Sequence, residues 1–532
     1  DVRPDSPIAN VFINDFWGHR LTSNISHKSY RPLTVLTFRL NEWLVGGQKP
    51  AAFHVTNVSL HALVSFLIHQ IVISHLFLDD DDSRWGVFAS LLFAVHPVHS
   101  EAVSGLVGRA DLLCSAFYLV CLFLHAKWAH SQIGTREWWA FAAGVMFFST
   151  VSMLCKEYGI TVLLLCFALD LVGLTLNGGR SHVKMDAVKE RLTVLSFLCV
   201  FLLYLRWTIM GSSPPIFQPE DNPAAFADSL ITRFLSRNYL FALNAWIMIL
   251  PVWLCFDWSM GCVPLVSDYR DPRVLAVFVF WVFLLGIVGR GMVGAFPRVF
   301  QVEGSKKDRE AQRDDARLIL VGLVWLFIPF LPAANIFFTV GFVIAERVLY
   351  LPSLGYCIIL TVGLRRLALL VEKSRVMQFF VRSLAVSLLV IFAARCARRN
   401  GDWSNEKTLF TSGLSVCPNN AKVHYNVAKH AADSGNAELA IEHYRKALGL
   451  NPVYDQAMNN LANLLKARGQ LEDALGLLEN ATAVRPDFAA AWMNLGIVLA
   501  DLKQYDRARF AYERALELRP RYPDCYYNFG NL

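Results

Sequence analysis

Residues 96–111 read HPVHSEAVSGLVGRAD, and the nature of the whole chain turns on this stretch. It sets His96, His99, Glu101, Arg109 and Asp111 between two apolar runs, Trp85–Val95 before it and Leu112–Leu124 after it. A charge left in hydrocarbon costs about 2.5–3.5 kcal/mol on insertion scales, so ionisable groups beside membrane spans tend to line an aqueous cavity or carry chemistry. We read the stretch as one wall of an active site. The plainer reading is a solvated loop at the membrane surface.

The 532 residues are 55% hydrophobic and only 17% charged, with a mean hydropathy of +0.38. That is too apolar for a soluble chain of this length and makes it a membrane protein. Polarity is uneven: residues 1–394 fall in apolar blocks, while residues from 395 onward read as a soluble helical domain. The net charge of +7 resides mainly in short loops between apolar blocks, where membrane orientation explains it, so a nucleic-acid role is set aside. The 11 cysteines are scattered singly with no CxxC pair, which is neither a disulfide framework nor a zinc site. In an oxidising compartment Cys255 could pair with Cys262, and Cys396 with Cys417. The chain starts without methionine and stops inside a repeat, so it reads as a piece of something longer.

Phe53–Leu78 is long enough to cross the ~30 Å apolar core. Trp85–Val95, Leu112–Leu124, Trp138–Leu154, Ile160–Leu176, Leu192–Tyr204, Val274–Val288, Leu318–Leu331, Leu351–Leu364 and Phe379–Phe392 follow as further apolar segments. Tyr239–Trp258, interrupted by Asn244, Pro251 and Asp257, reads as lying in the interface or re-entering. Basic residues gather in three loops: Arg180, Lys184, Lys189 and Arg191; Arg298, Lys306, Lys307, Arg309, Arg313 and Arg317; Arg365, Arg366, Lys373 and Arg375. If these are cytosolic, parity puts residues 1–50, 96–111, 211–271 and 395 onward together on the other side. The Arg395–Arg399 cluster runs against that count. The sequons at Asn24 and Asn480 agree with a lumenal side.

From Ala421 the sequence repeats every 34 residues, the tetratricopeptide period. Ala428, Ala462 and Gly496 supply the small residue of each first helix, Ala440, Ala474 and Ala508 that of each second helix, and Pro452, Pro486 and Pro520 close the units. Trp403–Pro418 resembles a half-repeat joining the last span to the array, which makes residues 395–420 a connector and 421–532 the repeats. Asn426, Asn460, Asn494 and Asn528 share one register, and a ladder of amides there would hold an extended acceptor peptide by its backbone. Alternatively, these asparagines cap or join neighbouring repeats.

Further polar groups fall on the same proposed side. NDFWG offers Asp15 beside aromatic surface, SHKSYRP offers His27, Lys28, Tyr30 and Arg31, and Lys156-Glu157 and Glu346-Arg347 sit at span ends. Lys and Arg in a dry mouth bind phosphate, and a carboxylate can act as general base toward a hydroxyl. Each pair alone can equally be a structural ion pair. His96 and His99 lack a third ligand with characteristic spacing, so no metal is assigned.

NDFWG (14–18), SHKSYRPLTVLTFRLN (26–41), HPVHSEAVSGLVGRADLL (96–113) and CKEYGIT (155–161), followed by tetratricopeptide repeats, resemble the transmembrane and tetratricopeptide repeat-containing (TMTC) family over essentially the whole chain. The resemblance implies an all-α protein: a polytopic helical domain of GT-C glycosyltransferase type, then a tetratricopeptide solenoid. It also implies an endoplasmic-reticulum enzyme that transfers mannose from dolichyl phosphate mannose to Ser or Thr of cadherin domains. No cofactor beyond that lipid donor is expected, with a divalent metal left open. On this reading Asp15, Glu101 and Asp111 are the catalytic carboxylates; His27, Lys28, Arg31, His96, His99, Arg109, Lys156 and Arg347 face the donor phosphate. Related enzymes place an acidic motif at the start of the first lumenal loop, and this chain begins just beyond that point, so the main base is expected upstream. The competing reading is a membrane-anchored lumenal scaffold or chaperone adaptor. A transporter would need ionisable residues at mid-span and repeated membrane halves, neither of which stands out.

Overall fold

The computed structural model describes residues 2–3, 6–23, 26–77, 80–177, 185–215, 217–296 and 306–532, with backbone alone at 80–82, 175–177 and 306–308. Asn24 of the first sequon, Asp79, Arg180, Lys184 and Arg298 lie outside these residues. Among the described residues every regular element is a helix, and one isolated bridge pairs Asn14 with Arg20. Among the described residues nine helices are long and apolar enough to cross a membrane, from Pro50–Leu76 to Arg375–Asp402. The protein is a multi-pass membrane protein.

Two segments differ from the sequence reading. Leu318–Leu331 is the apolar end of a 22-residue helix, Lys306–Phe327, whose first half is charged, and the chain leaves the helix before Leu331. Its apolar half is buried through Leu318, Ile319, Val321, Leu323 and Trp325. The Arg395–Arg399 cluster does not open a new domain, because one 28-residue helix runs unbroken from Arg375 to Asp402, across the expected boundary at 394/395. The helix Leu230–Ile249 is not among the nine. One face packs Leu240, Leu243, Ile247 and Met248 inward, while Leu230, Ile231, Phe234 and Trp246 remain exposed.

Charged loops sort to the two ends of the helical domain. At one end Asp315 pairs with Arg365 and Arg366, Asp170 with Arg191, and Arg317 donates to the His75 carbonyl at 2.8 Å. At the other end the loops containing Arg31, Glu101, Lys156 and Arg347 meet. Two glycines make that meeting possible. A Cβ on Gly108 would sit 2.2 Å from the Ala102 carbonyl oxygen, so only glycine lets the single 3₁₀ turn Leu106–Gly108 fold onto the helix Ser100–Ser104 and deliver Arg109 to its place. A Cβ on Gly159 would sit 2.4 Å from the Ser152 carbonyl carbon, which is how the Glu157–Ile160 turn doubles back and exposes Glu157 beside buried Lys156.

Beyond Asp402, the helix Glu406–Val416 packs on Ala421–Asp433, and helix pairs continue to Leu518 with a further helix at Pro523–Gly530. Ala428, Ala440, Ala447, Ala462, Ala474, Ala481, Ala508 and Ala515 are fully buried, as the 34-residue register requires. Gly496 takes the same place because the Tyr512 ring lies where its Cβ would be.

Replacing Gly159 with alanine presses its Cβ against the Ser152–Met153 backbone, which cannot be relieved by a rotamer change. The expected cost is about 1–3 kcal/mol, read as a lower unfolding temperature in detergent. An unchanged transition would show that the turn tolerates a Cβ.

Candidate functional site

The charged groups at this end of the fold pair with one another, and the partners are not those adjacent in sequence. Lys156 does not pair with Glu157. Its ammonium reaches both oxygens of Asp111, at 2.6 and 2.7 Å, and both side chains are buried. Burial pushes the Lys156 ammonium below its usual range, against the pull of Asp111, and Arg31 and Arg347 lie close enough to lower it further. Glu157 instead accepts a forked pair of hydrogen bonds from Arg31, at 3.0 and 2.9 Å, and Arg206 approaches it at 3.5 Å. Likewise Glu346 does not pair with Arg347. Glu101 takes both the Arg347 guanidinium and, at 2.9 Å, the Arg347 backbone N–H.

Arg31, Glu101, Asp111, Lys156, Glu157, Arg206 and Arg347 thus form one charged cluster. Its depth is graded. Asp111 is sealed, whereas the Glu157 and Arg347 side chains are 32% and 33% exposed. Four cations stand against three carboxylates, so the open side carries a positive excess suited to an anion. Sequence reasoning missed Arg206, and it named Glu157 only as the neighbour of Lys156, not among the site residues. Arg206 is the last basic residue of the helix Met185–Ile209 and donates to the Lys28 carbonyl at 2.6 Å, which ties that span to the first loop.

Several expected site residues have other duties. The Asp15 carboxylate is buried and accepts four hydrogen bonds, from the N–H groups of Trp17 and His19 and from Ser26 Oγ and the His27 N–H, at 2.7–3.1 Å. It knots the first loop and has no lone pair directed outward. Lys28, held at a positive φ of 56°, turns its ammonium back onto the Leu21 and Ser23 carbonyls. His27 is exposed, stacks on Phe217 and meets the Trp17 ring edge to face.

Arg109 is fully buried, with no carboxylate beside it. It donates to the Asn57 and Asn41 side chains and to the Thr37 and Phe53 carbonyls, and its guanidinium lies 4.4 Å from the Phe38 ring centroid. It clamps three helices and is closed to a phosphate. His96 bonds through both nitrogens, to the Met248 carbonyl and the Val98 N–H, and His99 meets Ser353 Oγ at 2.8 Å. Both are sealed. Among the described residues no three His, Cys, Asp or Glu side chains form a metal-binding group.

Glu346 is fully buried. One oxygen accepts the Cys255 N–H at 2.6 Å and the other has no hydrogen-bond partner. Burial pushes its carboxyl up to about 8, with Arg399 opposing and Glu101 adding to the rise.

In the repeats, the asparagines mostly join neighbours. Asn460 donates to the Tyr425 and Tyr444 hydroxyls and accepts from Asn459, Asn494 donates to Asn459 at 2.8 Å, and Asn528 donates to the Asp524 carbonyl. Asn426, in the first repeat, is half-buried. The cysteine pairing also differs from expectation. Cys262 is bonded to Cys417, while the Cys255 thiol donates to the Asp257 carbonyl and the Cys396 thiol to the Val95 carbonyl.

A family profile described as "Protein O-mannosyl-transferase TMTC, DUF1736" matches residues 211–285, the insert that carries Cys255 and Cys262, and tetratricopeptide profiles match 421–454 and 459–523. The chain is 44% identical over 477 residues to "Protein O-mannosyl-transferase TMTC4" of Mus musculus, covering 84% of this chain and 61% of that protein. It is 38% identical to "Protein O-mannosyl-transferase TMTC3" of Homo sapiens, covering 89% of this chain and 50% of that protein. The chain belongs to the TMTC family. It spans about three fifths of the TMTC4 length and half of the TMTC3 length. The insert matched by the TMTC profile reaches Glu346, next to Arg347, through the Cys255 N–H, and the repeat connector through the Cys262–Cys417 disulfide.

Two outcomes follow from the pairing. Asp111→Ala or Lys156→Ala strands a buried charge and should cost about 3–5 kcal/mol. The Asp111→Leu, Lys156→Met double variant should lose much less than the sum in thermal unfolding; additive losses would show that the two charges act independently. For Glu346, the folded carboxyl holds its proton up to about 8 while the unfolded one releases it near 4.5, so this group lowers stability progressively as pH rises from 4.5 to 8. Glu346→Gln should remove that slope from unfolding temperatures recorded across this range. Parallel profiles for the two proteins would contradict the assignment.

Proposed function

We propose that this TMTC chain carries a protein O-mannosyltransferase site, which moves mannose from dolichyl phosphate mannose to a Ser or Thr hydroxyl of cadherin-type domains in the endoplasmic-reticulum lumen. The observation that carries the reading is the convergence of Arg31 and Arg206 on half-open Glu157, beside Lys156 and Arg347. The names of the relatives supply the reaction class. A disulfide between residues 262 and 417 supports an oxidising compartment for both the insert and the repeats. The basic loops at the far end of the bundle support a cytosolic face there.

The chemistry follows from the donor. Its phosphodiester carries one negative charge, and the departing dolichyl phosphate carries two. Cations beside the phosphate therefore bind the transition state more strongly than the ground state. Arg31 and Arg206 are placed for this role, with Arg347 at the rim. When the phosphate takes their hydrogen bonds, Glu157 loses its two partners and regains free lone pairs. It then accepts the proton of the acceptor hydroxyl as that oxygen bonds to the anomeric carbon and the carbon–phosphate oxygen bond breaks, with inversion. Phosphate needs no acid to leave. Asp111 stays bound to Lys156 and holds the floor of the site. The exposed apolar faces of the spans offer the lipid chain a lateral approach.

The test uses the protein in detergent with dolichyl phosphate mannose and a folded cadherin domain, scoring added hexose by intact mass. Glu157→Gln should lower transfer by about 10²-fold or more in a variant that still unfolds cooperatively. Turnover equal to the unsubstituted protein would remove Glu157 as the base. No transfer by a folded, unsubstituted protein would leave a membrane-anchored scaffold as the better reading.

A further inference from the structure

Residues 251–262 touch both halves of the molecule in sequence order. At one end the Pro251 and Val252 carbonyls accept hydrogen bonds from Arg395, and the Cys255 N–H donates to Glu346, the residue before Arg347 of the charged cluster. At the other end the segment grips the start of the repeat array. Phe256 packs on Phe410 with ring centroids 5.3 Å apart, and Asp257 forms an ion pair with Lys422 at 2.7 Å. The Asp257 carbonyl accepts from Asn420 at 3.0 Å, the Met260 carbonyl accepts the Ala421 N–H at 3.3 Å, and Cys262 is bonded to Cys417. Met260 and Gly261 both have positive φ, 47° and 91°, which turns the chain so that Cys262 faces the connector.

We infer that residues 255–262 are a positioning bracket that registers the first repeat against the charged mouth and so decides which acceptors reach it. The seven Cα steps from Cys255 to Cys262 span at most about 25 Å, so the start of the first repeat is held within about that distance of the Glu346–Arg347 corner. A repeat array attached only through Asp402–Glu406 would be free to pivot about that joint. Fixing it converts capture of a large acceptor by the repeats into a raised local concentration of its hydroxyls at the mouth. A small acceptor that never touches the repeats gains nothing from this. The bracket thus favours protein acceptors large enough to engage both parts. Its acceptor consequence rests on the transferase reading, whereas the registration itself does not.

Two readouts separate these claims. Spin labels introduced bio-orthogonally at exposed Asp228 and Glu472 report the distance between the insert and the second repeat. One narrow distribution is expected for the intact protein, and a broad one for the Cys262→Ser, Cys417→Ser, Asp257→Lys variant. Adding Lys422→Asp to that variant restores the opposite charges and should narrow the distribution again, which loss of folding would not do. A distribution that stays narrow in the triple variant overturns the bracket.

Transfer assays then use a cadherin domain and a threonine tripeptide as acceptors. The triple variant should raise KM for the domain about tenfold or more and leave kcat and the tripeptide rate unchanged. Equal losses on both acceptors would overturn the role in acceptor choice. If the unsubstituted protein modifies neither acceptor, the transferase reading and the acceptor role fall together, and the distance distributions still decide whether the bracket exists.

Discussion

Taking a charge out of water into an apolar bundle is costly unless hydrogen-bonding partners, best of all an opposite charge, travel with it. The Asp111–Lys156 pair is where this constraint acts most severely, because both groups are sealed between spans and each has essentially one partner. Their contact fixes the start of one span against the junction of two others. The remaining loops are arranged around that fixed point: Arg31 and Arg206 above it on Glu157, Glu101 and Arg347 to one side, Glu346 and the insert beyond. The order runs from fully neutralised pairs inside to incompletely neutralised cations at the opening. An anion arriving at the mouth meets cations already positioned by the pairs beneath them, with little reorganisation left to do.

This gradation also separates structural from chemical charge. Arg109 looks in the sequence like the best phosphate ligand of its stretch, yet its donors are spent on two asparagines and two carbonyls, and two aromatic rings lie beside its guanidinium. A guanidinium is more weakly hydrated than an ammonium and is suited to such a role. Asp15 follows the same logic, since a carboxylate that accepts four hydrogen bonds shapes a loop better than it abstracts a proton. Arg31 and Glu157 keep part of their surface in water, and exchange of one anion for another costs them little.

Periodicity carried the sequence reading a long way and then stopped for a physical reason. The 34-residue register placed each small residue of the repeats correctly, because close helix contact admits no alternative. Hydropathy and loop charge put Arg31, Glu101, Asp111, Lys156 and Arg347 on one side, and in the fold these five side chains meet. Pairing was another matter. Lys156 beside Glu157 and Glu346 beside Arg347 suggest local ion pairs, but successive side chains at a span end point in different directions, and tertiary packing chooses the partner. Arg206 lies two residues past the apolar run Leu192–Tyr204, and no motif in the sequence marks it. Cys262 and Cys417 were both flagged, each with the wrong mate, because 155 residues of chain separate them and only the docking of the insert on the repeats brings them together.

The central claim is that Arg31 and Arg206 receive a lipid-linked phosphate. It is tested most directly by titrating a short-chain polyprenyl phosphate into the detergent-solubilised protein and into the Arg206→Ala variant, at constant ionic strength. A charge-assisted hydrogen bond contributes about 1.5–3 kcal/mol, so the account predicts an affinity lower by about tenfold or more in a variant that remains folded. Equal affinities for the two proteins would contradict it and place the phosphate elsewhere.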